Sequence, residues 1–185
     1  MESRHVVSES DQVLVKRFVR ARDEASFRKL YRRHTPALYG LALRLAGHSE
    51  ADAQDAIQDT WLRACGKLDR FEWRSSLRTW LMGILINRLR ELNRESQRRC
   101  EDEISNECSL PTTGRQMGER IDLEQAIARL PAGYRHVLVL HDAEGYTHDE
   151  ISALLEVSVG TSKSQLHHAR RAIREMLQPE FQSNE

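Results

Sequence analysis

The chain is poor in the residues that build sheets, tight loops and cross-links. Aromatics make up 6% of its 185 residues, with 9 glycines and 4 prolines. Runs of β-branched residues are nearly absent, which excludes a sheet-dominated fold and predicts helix throughout. No apolar stretch approaches the roughly 20 residues that span a bilayer. The opening MESRHVVSESD lacks the apolar core of a secretory signal, so a cytoplasmic protein is expected. Three cysteines (Cys65, Cys100, Cys108) are odd in number and form no CxxC pair. Neither a disulfide framework nor a zinc site is expected. There is no glycine-rich phosphate loop, no HExxH and no local Ser/His/Asp motif. No catalytic residue, metal or cofactor is therefore expected, and the protein is not read as an enzyme.

What is present is charge, at 30% of residues, summing to zero. The zero hides a pattern. Residues 1–100 hold 20 Lys/Arg against 13 Asp/Glu, 101–130 hold 3 against 7, and 131–185 hold 5 against 8. An anionic partner would be drawn to the N-terminal half.

Helical patterns fill that half. Ser10 or Asp11 caps a helix with Leu14 and Phe18 on one face. A second starts at Asp23 with Phe27, Leu30, Tyr31 and His34; Pro36 is expected to break or restart it. Leu38, Leu41 and Leu45 continue to a C-cap at Gly47. Ser49 caps a third helix whose stripe is Ile57, Trp61, Ala64, Cys65 and Leu68. Its other face carries Gln54, Asp55, Gln58, Asp59 and Leu62: a solvated face, or, given a leucine among acids and amides, a partner surface. The loop DRFEWRSS follows, closed by Ser75 or Ser76.

A long helix then runs from Leu77 towards Gln97. At about 100° per residue, Leu77, Leu81, Ile84, Leu85 and Leu92 share a broad apolar side. Trp80, Gly83, Asn87, Arg90, Arg94 and Arg98 form a second stripe. Three arginines in register suit a polyanion.

The polar, acidic stretch CEDEISNECSLPTTGRQMGER is read as a linker over residues 100–120. Beyond it Asp122 caps a helix with Leu123, Ala126, Ile127 and Leu130 as its face. Pro131 and Gly133 turn the chain into a helix with Tyr134, Val137, Leu138 and His141, the last expected as a satisfied core histidine, closed by Gly145.

YTHDE is a strong helix start: Thr147 and Glu150 form a capping box, Tyr146 and Ile151 a hydrophobic staple. Only Glu156, Val157 and Ser158 separate this helix from the next. There Val159, Leu166, Ala169, Ile173 and Leu177 share one face, while Ser164, His167, His168 and Arg171 point away, with Lys163 at the edge. A capped helix, a three-residue turn and an exposed helix of donors is the helix-turn-helix layout, whose second helix fits the major groove. Thr161 lies at that helix's N-terminus, where a phosphate can sit.

YTHDEISALLEVSVGTSKSQLHHARRAI resembles the C-terminal domain of the sigma-70 family of bacterial transcription initiation factors, and LPAGYRHVLVLHDAEGYT resembles the segment before it. YRRHTPALYGLALRLAGHSEADAQDAIQDTWLRACGKLDRF and SSLRTWLMGILINRLRELNRE resemble the family's N-terminal core domain. Two domains with no third between them match the extracytoplasmic-function (ECF) group. The resemblance implies an all-α chain of two helical domains joined by a flexible acidic linker, the second a helix-turn-helix. It implies a disordered N-terminus over 1–10, a sigma-2 domain over 11–99, the linker over 100–120, a sigma-4 domain over 121–178 and a tail over 179–185.

By the same resemblance, Gln54, Asp55, Gln58, Asp59 and Leu62 dock on the clamp coiled coil of the largest subunit of core RNA polymerase. Phe71, Trp73, Arg74, Asn87, Arg90 and Arg94 open and hold the -10 element. Trp80 is expected in the core rather than on a base. Thr161, Lys163, Ser164, His167, His168 and Arg171 read the -35 element. Partners implied are core polymerase, promoter DNA and an anti-sigma factor. Ser162 stands where the family prefers Val or Ile, and Gln165 and His168 where Arg is common. By composition the acidic linker reads as a solvated tether; the resemblance implies that its acids occupy polymerase channels in place of phosphate, and the same charge could fold back on the arginine ladder. The alternative is a stand-alone helix-turn-helix regulator, whose N-terminal domain would sense a ligand or dimerise.

Overall fold

The structure, a computed structural model, describes residues 9–103 and 122–177, apart from the side chains of 96–103. Residues 104–120 of the expected linker, most of both termini, Cys108 and the side chains of Arg98 and Cys100 lie outside the described residues, while residues 100–103 continue α4. Those described form eight α-helices and no strand: α1 (Asp11–Ala21), α2 (Glu24–Leu45), α3 (Glu50–Cys65), α4 (Leu77–Glu103), α5 (Leu123–Arg129), α6 (Ala132–Leu138), α7 (His148–Leu155) and α8 (Val159–Leu177). A 3-10 turn, Leu68–Arg70, follows α3, and a π-helical turn, Val139–Ala143, extends α6. Among the described residues no helix is long and apolar enough to cross a membrane.

Local chemistry sets most of these boundaries. Ser10, Asp23, Ser49 and Asp122 each accept a backbone N–H from the first turn of the helix they start. Such caps contribute about 1 kcal/mol apiece. Gly47 follows the end of α2 at φ 66°. Its N–H bonds the Arg44 carbonyl while the N–H of His48 bonds that of Leu43. This Schellman closure favours glycine at the left-handed position.

Pro36 does not break α2, which runs through it. A proline inside a helix costs about 3 kcal/mol or more. The cost is offset by packing on both sides of it: Leu30, Leu38 and Leu41 are fully buried. Helix α4 continues past Gln97 to Glu103. Its buried side is wider than the periodicity suggests, taking in Met82, Ile86 and Leu89 as well as Leu77, Leu81 and Leu85. The reason is tertiary, since α4 packs on α2 and α3 and also receives α7 from the C-terminal domain.

That domain departs from the expected pattern at three places. Leu123 is 53% exposed rather than packed. Gly133 lies inside α6, with Pro131 as the N-cap. The core histidine is His136, 5% exposed, whereas His141 is half-buried beside Asp142. One turn of helix separates the two, and α6 turns His136 onto the end of α2.

His136 donates its Nε2 proton to the Leu45 carbonyl at 3.2 Å. Burial, with the Arg135 charge beside it, pushes its pKa from 6.5 down to about 4. The folded form therefore binds fewer protons than the unfolded chain between those values. Its stability is fully present above pH 6.5 and falls as pH drops towards 4. Unfolding by urea should cost about 2 kcal/mol less near pH 5 than near pH 7.5 from this group alone. His136→Gln should flatten that difference; an unchanged pH slope in the variant would place the titration elsewhere.

Candidate polymerase and nucleic-acid interfaces

Helix α3 presents its second face to solvent. Gln54, Asp55 and Gln58 are exposed, and Leu62 is 72% exposed, the largest value among the big apolar side chains of the described residues. Asp59 differs from its neighbours: it is half-buried and paired with Arg88 of α4 at 2.5 Å. Its carboxylate is engaged at home, so the open part of this face is two amides, one acid and a leucine.

The loop between α3 and α4 gathers its aromatics. Phe71 lies 4.7 Å from Trp73 and 4.8 Å from Trp80, stacked on the latter. Trp73 adopts φ 59°, a left-handed conformation that a non-glycine residue holds only when its surroundings impose it. Trp80 is half-buried in this trio, short of the core position expected. A cavity of about 390 Å³ opens beside Phe71 and Trp80, rimmed by Lys67, Arg70 and Arg74. Arg74 is largely exposed and bonds Glu72 at 2.7 Å. Aromatic walls and guanidinium rims suit an unstacked base with its phosphate.

The α4 stripe is occupied. Asn87 is half-buried. Arg90, 15% exposed, donates to the Leu154 carbonyl at 3.3 Å and to Glu156 at 2.6 Å. Arg94 lies 3.6 Å from the same carboxylate. The Arg90 hydrogen bond holds the Glu156 carboxyl below its usual range, against a smaller opposing effect of desolvation. Leu154 and Glu156 carry no site signal in the sequence. They lie 64 and 66 positions from Arg90, and nothing in the local pattern pairs them with it.

Helices α7 and α8 form the predicted helix-turn-helix. Thr147 and Glu150 complete the capping box in both directions. Glu156 ends α7 in the left-handed region, and Ser158 accepts from Thr161 to start α8. Lys163, Ser164, His167, His168 and Arg171 all face solvent, with Thr161 half-buried. Ser164 is partly satisfied by the Thr161 carbonyl, and Arg171 pairs with Glu175 at 2.7 Å. His168 stacks on Tyr134 at 5.9 Å. Ser162 is fully buried and is not a packing defect alone, because its hydroxyl bonds His148 at 2.9 Å.

Comparison with known proteins matches both halves. Residues 30–99 match Sigma-70 region 2, and residues 120–173 match Sigma-70, region 4. The ECF RNA polymerase sigma factor EcfG of Rhodopseudomonas palustris is 33% identical over 147 residues, covering 77% of this chain and 80% of that one. The chain belongs to the ECF RNA polymerase sigma factors. It is an alternative sigma factor, which binds core RNA polymerase and directs promoter-specific initiation, and the region 2 match excludes a stand-alone regulator. The RNA polymerase sigma-H factor of Pseudomonas aeruginosa is 29% identical over 189 residues, covering 94% of this sigma factor and 97% of the relative. Among solved structures, the sigma factor RpoE in complex with the anti-sigma factor NepR, from Bartonella quintana, aligns with a TM-score of 0.61 at 30% identity, covering 82% of this chain and 96% of that one. CnrH in complex with the cytosolic domain of CnrY aligns at 0.56 and 26% identity, covering 91% and 97%.

Proposed function

We propose that this sigma factor divides its work among three surfaces. The α3 face of Gln54, Asp55, Gln58 and Leu62, with Asp59 at its margin, docks on the clamp coiled coil of the largest polymerase subunit. The observation that carries this reading is Leu62, an exposed leucine ringed by polar groups, since such patches mark partner surfaces. Phe71, Trp73 and Arg74 receive an unpaired base of the -10 element, and Asn87, Arg90 and Arg94 hold its strand. Thr161, Lys163, Ser164, His167, His168 and Arg171 read the -35 element from the major groove. The protein performs no chemistry of its own and works in the cytoplasm, where polymerase is. An anti-sigma factor restrains it, a reading supported by the similar sigma factor RpoE, solved in complex with the anti-sigma factor NepR.

The test is run-off transcription with core polymerase across a promoter library. His167→Ala or Lys163→Ala should cost about 1–3 kcal/mol at a site where the side chain reads a base, relaxing preference at one position. Arg171→Ala should weaken all promoters alike if it holds a phosphate. Unaltered promoter choice and strength in all three variants would remove α8 as the reader.

A further inference from the structure

The first turn of α6 lies against α8 and seats two of its side chains. Gln165 and His168 are three residues apart on α8 and so lie on one side of it, a turn apart. Gly133 meets the first: a Cβ there would stand 3.1 Å from the Gln165 amide nitrogen, so the glycine leaves that amide its place. Tyr134 meets the second. Its ring stacks on the His168 imidazole with centroids 5.9 Å apart and planes 19° from parallel, within the range of offset-stacked aromatic pairs. His168 meets His167 in turn, edge to face, at 5.7 Å and 74°. Three rings therefore run in contact from α6 to the outer face of α8.

The inner end of this row is anchored and the outer end is open. Tyr134 is half-buried and packs against the core of the domain, whereas His167 and His168 are exposed. An exposed side chain samples several rotamers, and fixing it on binding costs free energy. Orientation also decides what an imidazole offers, because its hydrogen-bonding nitrogens lie on the rim and its faces do not donate or accept in that way. Among the described residues no hydrogen bond occupies the ring nitrogens of either histidine. With Tyr134 covering one face of His168, the nitrogen-bearing rim is the part left to meet a base edge in the major groove.

We infer that Tyr134 is a positioning residue for promoter reading: its ring, held in α6, sets the His168 imidazole, and through it that of His167, in one orientation before DNA arrives. Tyr134 acts through the two histidines rather than on DNA itself. Its effect is on selectivity at the bases they meet, since a ring already in place loses less freedom on binding and fits a wrong base edge less readily. This role rests on the reading of the -35 element proposed above.

The test uses holoenzyme assembled from core polymerase and the full chain, transcribing a library of promoters randomised across the -35 element. His168→Ala should relax preference about tenfold at the position that His168 reads. Tyr134→Leu keeps apolar bulk but removes the stacked ring, and should relax the same position about threefold, the scale of one aromatic pair. Tyr134→Phe keeps the ring and should behave as the parent. Tyr134→Leu added to His168→Ala should relax that position no further, because the two act in series. Thermal unfolding of each variant reads any loss of packing separately. A Tyr134→Leu variant with the parent's preferences, beside a relaxed His168→Ala, would overturn the positioning role and leave the reading by α8 standing. So would a uniform loss of promoter strength with preferences intact, or a Tyr134→Phe variant as relaxed as Tyr134→Leu. Unaltered preferences in both His167→Ala and His168→Ala would overturn the reading and the positioning role together.

Discussion

Replacing Trp61 by alanine should destabilise the protein by about 3–5 kcal/mol, the range for emptying a buried aromatic site. Trp61 is 4% exposed and packs from α3 onto α2. Its ring makes an edge contact with Phe27 at 5.5 Å and a tilted one with Tyr31 at 5.3 Å. Its indole Nε1 donates to the Thr35 hydroxyl at 3.0 Å. Alanine would leave a cavity and strand that hydroxyl at once. Against a total stability of about 5–15 kcal/mol for a domain, this is a large fraction. Trp61→Phe should cost less, about 1–3 kcal/mol, because one six-membered ring still fills much of the site, although the pyrrole part of the indole and its hydrogen bond are lost. Urea unfolding followed by circular dichroism measures both. A loss under 1 kcal/mol for the alanine variant would mean that the packing of α3 on α2 does not rely on this site.

Asp55→Lys with Gln58→Lys, and separately Leu62→Asp, should each weaken binding to core polymerase by about 30-fold or more, the scale of a 2 kcal/mol hot spot. All three side chains are exposed, so thermal unfolding should stay close to the parent. Stability and binding would then separate cleanly. Asp59→Ala should behave otherwise, because its carboxylate pairs with Arg88. It should cost a small amount of stability, within about 1 kcal/mol for a pair that solvent still reaches, and change polymerase binding less than the double variant. Co-purification of the double variant with core enzyme at the parent level would remove the α3 face from the docking reading.

The sequence alone determined the helical class, the starts of most helices, the helix-turn-helix and the exposed face of α3. Each depends on interactions three or four positions apart: a Ser or Asp accepting from the first turn, a glycine in the left-handed region after the last, a leucine stripe with one face. These short-range rules act before the chain has any tertiary structure, so they can be read residue by residue. They fail where a distant element intervenes. Pro36 reads as a break, yet α2 passes through it because fully buried leucines flank it on the packed face. His141 reads as the core histidine, yet His136 is, because the carbonyl that receives it belongs to Leu45, 91 positions away.

The arginine stripe of α4 shows the boundary most clearly. Its register follows from helical periodicity, and so does its suitability for a polyanion. That Arg90 meets Glu156, and that Arg44 meets Glu144 100 positions on, follows from neither, since a single charged residue carries no signal of its partner. Only the packing of the C-terminal domain on the end of α2 and the side of α4 decides which surfaces of this sigma factor are covered and which stay open. The physical reason is that such contacts arise from the joint burial of several helices, an outcome of the whole fold rather than of any one stretch of it.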